Sequence, residues 1–349
     1  MKEGYRLLGD FIQPVDERNR DLKVDYLLGV SISKQFIPSI ANIVGTDLSS
    51  YKIVRTGQFA YGPVTSRNGE KISIALLRDK DCIISSSYTV FEVTDNERLD
   101  PEYLMLWFSR PEFDRYTRYM SHGSVRENFD WDELCKVELP VPSIEKQRGI
   151  VTAYNTITDR IELKRKINDN LEAVLAASHS KMFFSKDTSE HSKLGELMTF
   201  GNGKSRPKTD GPIPVYGGNG VLSYTDHHNI ENAVLIGRVG AYCGSVYLEQ
   251  GICWVSDNAI FAKSKITKDE FFDYFLLKRL NLFNHHVGTG QQLLTQEILN
   301  NIEVPKPVTE QIELFNRKAA SVFETIFTNS REIIRLQELS DLLLSRLAG

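Results

Sequence analysis

One block of this sequence occurs twice, and that recurrence sets the architecture. Residues 138–142 read Glu-Leu-Pro-Val-Pro and residues 303–307 read Glu-Val-Pro-Lys-Pro, 165 positions apart. Each is followed by an acidic residue and a glutamine before a long polar-apolar segment opens. An offset shared by separated blocks is the mark of a duplicated unit. The same offset sets Gly123-Ser124 on Gly288-Thr289, Leu134 on Leu299 and Glu138 on Glu303. Further upstream it grows to about 170, setting Phe91 on Phe261 and Asp100-Pro-Glu-Tyr on Asp269-Glu-Phe-Phe, while Leu8-Gly9-Asp10 falls on Leu194-Gly195-Glu196. The chain reads as two copies of a globular domain plus a long helix: globular 1–140 and 186–305, helical 141–185 and 306–349.

The helical segments carry the clearest periodicity. In the second copy Ile312, Phe315, Ala319, Val322, Ile326, Asn329, Ile333, Leu336, Ser340, Leu343 and Leu347 alternate in steps of 3 and 4, and nine of the eleven are apolar. That spacing is a coiled-coil seam. In the first copy Gln147, Ile150, Tyr154, Ile157, Ile161, Lys164, Asn168, Leu171, Leu175, Ser178 and Met182 repeat it more weakly, with seven apolar. Each seam starts just after a Pro-x-Pro segment, which neither continues a strand ladder nor allows helix in the residue before it. One exposed seam of roughly 36 to 40 residues, about 55 to 60 Å long, would be insoluble, so the two helices are expected to pack on each other. An antiparallel pairing centred near residues 166 and 331 places Asn168 opposite Asn329, where two amides can fix register.

Between the helices lie short β-branched and aromatic runs punctuated by glycine and asparagine, which predict β-rich domains with some helix, an α+β class. Val64–Arg67, Asn68-Gly69 and Glu70–Leu76 read as a tight-turned hairpin with Arg67 near its tip. Glycine-rich stretches at 214–220 and 236–244 mark turns or close approaches, and they carry Tyr216, Arg238 and Tyr242. Gly201-Asn-Gly-Lys-Ser205 looks like a phosphate loop but lacks the required upstream glycine, since position 198 is Met198, and Arg206-Pro207 does not open a helix. A local basic loop of Lys204, Arg206 and Lys208 remains, able to neutralise phosphates or to sit solvated.

Composition narrows the function. Hydrophobic content of 41% and charged content of 25% exclude a disordered chain, and 349 residues suit two or three domains. No apolar run approaches a membrane span and the start lacks a signal peptide, so a soluble cytoplasmic protein is expected. Four dispersed cysteines and adjacent rather than spaced histidine pairs supply no metal motif, so no metal is assigned. The 42 basic against 46 acidic residues are not the footprint of a bulk nucleic-acid binder; any DNA contact must be local. No nucleophile elbow, zinc-protease, methyltransferase or helicase motif occurs, which favours binding over catalysis.

These features resemble the specificity subunit of type I restriction-modification systems, across essentially the whole chain. The resemblance rests on Pro140–Gln147 and Ile161–Glu172, similar to the family's central conserved region, with support from Leu27–Asn42 and Pro214–Gly220. The second helix copy, from Ser330, departs from the Asn-x-x-Leu-Glu pattern. The resemblance implies two target-recognition domains, 1–140 and 186–305, each reading half of a split asymmetric DNA site, and a helix pair that sets the spacer. It implies a chain with no catalysis and no cofactor of its own. Two methyltransferase subunits would dock on it, joined by motor-nuclease subunits in the full complex; S-adenosylmethionine, ATP and magnesium would bind those partners. Candidate DNA contacts are loop residues suited to bidentate or stacking contact: Arg18, Arg20, Arg67 and Arg126 in the first domain, and Lys204, Arg206, Tyr216, Asn219, Arg238, Tyr242 and Gln291 in the second. Two alternatives stay open: a specificity subunit partnered with a fused methyltransferase-nuclease, and a stand-alone DNA-binding regulator.

Overall fold

A computed structural model describes residues 4–39, 45–66, 68–69, 71–122, 127–185, 190–288 and 290–348. The chain divides into two compact units, residues 1–163 with 333–349, and residues 164–332. The division passes through both long helices, so each unit holds one globular domain and one half of each helix.

In the first unit β1 (Tyr5–Leu7) leads into β2 (Ile12–Val15), β3 (Leu28–Val30), β4 (Phe36–Pro38), β5 (Lys52–Val54), β6 (Phe59–Tyr61), β7 (Ile74–Leu76), β8 (Cys82–Ile84) and β9 (Thr89–Val93). Helices α1 (Pro101–Phe108), α2 (Pro111–Met120) and α3 (Trp131–Cys135) follow, then β10 (Glu138–Pro140) and the long α4 (Ile144–Phe184). α1 starts where its residues dictate: the Asp100 carboxylate accepts from the amides of Glu102 and Tyr103, and Pro101 fills the first turn. The central sheet runs β2-β9-β6-β7, and β1 pairs with β10. Phe59, Phe91 and Phe108 stack in the core, which also takes in Ile150 and Tyr154 of α4 and Leu344 and Leu347 near the C-terminus.

The second unit repeats this plan. β11 (His191–Lys193), α5 (Leu194–Leu197), β12 (Met198–Asn202), β13 (Ile213–Gly217), β14 (Gly220–Thr225), β15 (Ile230–Gly237), β16 (Val246–Val255) and β17 (Ala259–Ser264) precede α6 (Phe271–Arg279), α7 (Gln296–Asn300), β18 (Glu303–Pro305) and α8 (Thr309–Ser345). Its sheet is ordered β12-β17-β15-β16-β13-β14, and β11 pairs with β18 as β1 does with β10. The duplication holds bond for bond. The Leu8 amide donates to Val137 O and the Leu194 amide to Ile302 O; likewise Val141 to Gly4 and Lys306 to Glu190. Gly9 and Gly195 are also equivalent. A β-carbon on Gly9 would lie 2.8 Å from the Cys135 side chain, and one on Gly195 would lie 2.5 Å from Asn300.

Register corrects two sequence expectations. Phe59 and Pro14 face Phe91, whereas their counterparts Val234 and Phe200 face Ala262, so Phe91 corresponds to Ala262 and not to Phe261. A one-residue slip reverses the face of a strand. Phe91 lies in the core beneath the helices, and Phe261 packs instead against a small cluster of Ala233, Leu235, Cys253 and Val255 on the other face of its sheet. The hairpin expected at 64–76 is also wider: β6 pairs with β7 through Tyr61 and Ile74, because the backbone of Val64 and Thr65 is already bonded to Asn128 and Glu127.

α4 and α8 extend over 41 and 37 residues, and every position of both seams is buried or half-buried. Within the second unit the helices run antiparallel, with Phe183 against Phe315 and Asn168 against Asn329. Asn329 Nδ2 donates to Asn168 Oδ1 at 2.9 Å; Lys164 Nζ donates to Asn329 Oδ1 at 2.9 Å and pairs with Glu332 at 2.8 Å. Next to the seam, His179 is enclosed by Phe183, Phe272, Phe275 and Phe315, and burial lowers its pKa to about 4, with Arg279 adding to the shift. It is therefore neutral near pH 7.

Two predictions follow from these buried polar groups. Asn329→Leu removes the donor to Asn168 Oδ1 and should cost about 1–3 kcal/mol in urea unfolding, whereas the double change with Asn168→Leu should cost less than the single one. A double variant as unstable as the sum of the single ones would contradict the pairing. Asp273, on α6, is almost wholly buried and burial raises its pKa from 3.8 to about 7, with Glu270 adding to the rise. The Ser264 hydroxyl opposes it, but from outside hydrogen-bonding geometry. A raised carboxyl pKa means that stability is full below the unfolded value and is lost as pH climbs towards 7. Asp273→Asn should therefore raise the melting temperature at pH 8 and change it little at pH 4, measured by differential scanning fluorimetry.

Candidate nucleic-acid interface

Five loops of the second domain converge at one rim of its sheet. The β13–β14 turn holds Asn219; a β-carbon on neighbouring Gly218 would lie 3.6 Å from Asn258 O, 3.7 Å from Val239 O and 3.8 Å from Tyr242 Cβ. The segment after β15 carries Arg238 and Tyr242. Its backbone is fixed by the Arg238 amide on Asn258 O at 3.0 Å and by the Gly240 amide on Gln292 O at 3.0 Å. Glycine is required here because β-carbons on Gly237 and Gly244 would meet backbone atoms at 2.1 and 2.4 Å, and Gly244 also has φ +84°. Lys204 reaches the same place through its amide, which donates to Val255 O at 2.9 Å.

The structure thus brings together Lys204, Asn219, Arg238, Tyr242 and Gln291, of which all but the half-buried Arg238 are exposed. Arg206 is exposed on the segment that continues from Lys204. Tyr216 is turned inward: its hydroxyl donates to Glu249 Oε2 at 3.0 Å. Burial drives its pKa up, and the Glu249 carboxylate adds to the rise. Asn258, at the β16–β17 turn, belongs to the rim and was missed in the sequence; Asp257-Asn258 between two apolar runs is the turn signal that marks it.

The first domain builds the same frame with other residues. The Thr65 amide donates to Glu127 O at 2.9 Å and the Phe129 amide to Pro63 O at 2.8 Å, where the second domain has Gly240 on Gln292 and Leu294 on Arg238. His122 bridges Asn128 as Val287 bridges Leu293. Pro63 therefore stands where the second domain has Arg238, and Arg126 corresponds in sequence to Gln291. Arg67 and Arg126 themselves lie outside the described residues. Arg18 is away from this frame; it donates to Ser50 O at 2.9 Å and pairs with Asp16 at 2.8 Å. Arg20 is exposed in the adjoining turn.

Ion pairing distinguishes these cations. In the first, Arg18, Arg55, Arg78, Arg115 and Arg118 all pair with carboxylates. In the second, Lys204, Arg206, Lys208 and Arg238 have no carboxylate partner among the described residues. Unpaired cations next to hydrogen-bonding and aromatic side chains can meet both phosphate oxygens and base edges. Among the described residues no helix is long and apolar enough to cross a membrane.

Comparison with known proteins bears on this surface. The family model for the type I restriction modification DNA specificity domain matches twice, over residues 39–173 and 186–342. The MjaIX specificity subunit of Methanocaldococcus jannaschii is 22% identical over 296 residues, covering 70% of this chain and 68% of that one. The HindI specificity subunit of Haemophilus influenzae is 25% identical over 153 residues, 42% of this chain and 32% of that protein. In fold, the S subunit from M. genitalium superimposes with a TM-score of 0.63 at 17% identity, over 99% of this chain and 96% of that one. Two copies of one frame, each matched by the same domain model, place this chain in the family of type I restriction-modification specificity subunits, whose role is DNA recognition.

Proposed function

We propose that the two domains read the two halves of a split, asymmetric DNA site, and that the helix pair sets the distance between them. The observation that carries this reading is the shared hydrogen-bond frame with different residues on it: Pro63 against Arg238, and Arg126 against Gln291. One frame offers one approach to a groove; different side chains on it select different bases. In the second domain the reading residues are Lys204, Arg206, Asn219, Arg238, Tyr242 and Gln291, with Tyr216 supporting the rim through Glu249. In the first they are Arg20, Arg67 and Arg126, with Arg18 holding its loop against Ser50.

The chain acts without catalysis or cofactor of its own. Two methyltransferase subunits dock on the helices and bind S-adenosylmethionine, and motor-nuclease subunits with ATP and magnesium complete the assembly. Because acidic residues balance basic ones, much of the phosphate affinity comes from those partners, and the isolated chain binds DNA weakly.

Co-expression with the methyltransferase subunit, followed by mapping of methylated adenines in the host DNA, should reveal a new bipartite motif. Exchanging residues 1–140 for those of a relative should change one half of the motif and leave the other. No new methylation despite a soluble complex would refute recognition by this chain. Within the second half-site, Arg238→Ala should cost about 1–3 kcal/mol at a single base pair and relax the motif there, read from the methylome of the variant. Inserting seven residues into α4 together with seven into α8 should lengthen the spacer without altering either half.

A further inference from the structure

The outer hairpin of the second sheet, β13–β14, has its counterpart in β3–β4 of the first domain: β13 meets β16 in parallel through Val215 and Trp254, as Leu27 beside β3 meets β8 through Ile83. Matched by register, β2, β9 and β6 correspond to β12, β17 and β15, and β7 lies beside β6 as β16 lies beside β15. The β13–β14 hairpin lies along the far side of β16. Its turn meets the rim at Gly218 and Asn219, and its outer strand leaves Tyr224 57% exposed.

Beside that strand, residues 204–211 form an arch fixed at both ends. At one end the Lys204 amide is bonded to Val255 O and the Trp254 indole donates to Lys204 O at 3.4 Å. At the other, the Thr209 and Thr225 hydroxyls lie 2.9 Å apart, and a β-carbon on Gly211 would lie 2.4 Å from the Asp226 amide. Between these anchors Arg206 and Lys208 border a cavity of about 300 Å³, closed on its other side by Ser223 and Tyr224. The arch contributes one acidic residue to the lining, Asp210; Asp226, next to it, is occupied by the Thr209 and Thr225 hydroxyls, which hold its carboxyl below the usual range.

We propose that this cavity seats one backbone phosphate of the second half-site, with Arg206 and Lys208 supplying the charge and the Tyr224 and Ser223 hydroxyls donating to the phosphate oxygens. The proposal rests on the DNA-reading function above and adds a contact that positions the hairpin without reading sequence. A phosphate fits better than a base edge. Two cations without carboxylate partners sit on a backbone that is held rigid, so little ordering is needed on binding, and a lysine offers a point charge and not a planar fork.

Salt dependence distinguishes a phosphate contact from a base contact. Anisotropy titrations of the full chain in its methyltransferase complex would use a duplex with the methylated motif and one with the second half-site scrambled, across about 50 to 300 mM salt. The double change Arg206→Ala with Lys208→Ala should lower the slope of log affinity against log salt by about 0.9, each single change by part of that, and every variant should weaken both duplexes by the same several-fold factor. Arg206→Lys should keep the slope, and Tyr224→Phe should weaken binding without changing it. Lys208→Gln replaces Lys208→Ala should the latter fail to fold. A specific wild-type complex whose variants keep slope and affinity overturns the phosphate seat alone, as does loss of discrimination confined to the cognate duplex, which would mean base reading. A wild-type complex with no preference for the motif overturns the DNA reading on which the seat depends.

Discussion

The burial of one apolar seam along each long helix is the constraint on which the rest depends. A stripe of nine apolar positions cannot face water, and each helix is too long for one globular domain to cover. The chain meets this by splitting the burial. The first half of α4 and the end of α8 complete the first domain's core through Ile150, Tyr154, Leu344 and Leu347; the other halves complete the second through Leu175, Phe183, Ile312, Phe315 and Phe323. Neither domain has a complete core without both helices. The seam is interrupted by the Asn168–Asn329 pair and Lys164, which bond one another when these residues are opposite, with Glu332, Ser330 and Ile326 O as further partners. A slide of one turn would leave them unpaired, which penalises alternative alignments more than it strengthens the correct one.

A fixed frame leaves the loops free to vary. The rim residues are displayed by backbone-to-backbone bonds, such as Leu294 on Arg238 and Gly240 on Gln292, that make no demand on side chains. Side chains there can change without loss of fold, as Pro63 and Arg238 show at one position. Where side chains are constrained, the cause is space: Gly237 and Gly244 have no room for a β-carbon. Side-chain variety and stability are thus assigned to different atoms of the same loop.

The same division explains what could be read from sequence. The helices were legible because a period of 3.5 over eleven positions and a Pro-x-Pro boundary are local signals. So were the duplication and the position of Asn168 opposite Asn329, which needed only counting. The Phe91 match failed by one residue because the single aromatic of β17, Phe261, lies on the face opposite the one that Phe91 takes in β9, and only pairing with β12 and β15 decides which face is which. The Asn-Gly turn at 68–69 was seen, with Gly69 at φ +63°, but not the competition for its flanking strand: Glu127 and Asn128, some sixty residues away, bind Val64 and Thr65 first. The convergence of Lys204 and Gln291 on Arg238 is likewise a product of long-range pairing, with no trace in the spacing of the three.

The two copies also show how one structural need is met by different residues. Near the start of each long helix a buried amide holds the chain entering the first helix of the preceding domain. Gln147 accepts from the Asp100 amide at 2.9 Å and donates to Arg98 O and Pro142 O. Asn316 accepts from the Phe272 amide at 2.9 Å and donates to Thr267 Oγ1 and Asp269 O. The two are not aligned, for Gln147 matches Ile312 and Asn316 matches Val151. The longer glutamine reaches from one turn earlier, and the shorter asparagine from one turn later. The frame requires a buried amide to satisfy backbone groups that no water reaches, and it does not require that amide at a given position. Duplicated domains can therefore lose sequence identity while keeping the backbone bonds that close the frame, and in this chain the helix seams and the closing strand pairs retain the repeat where most other positions have diverged.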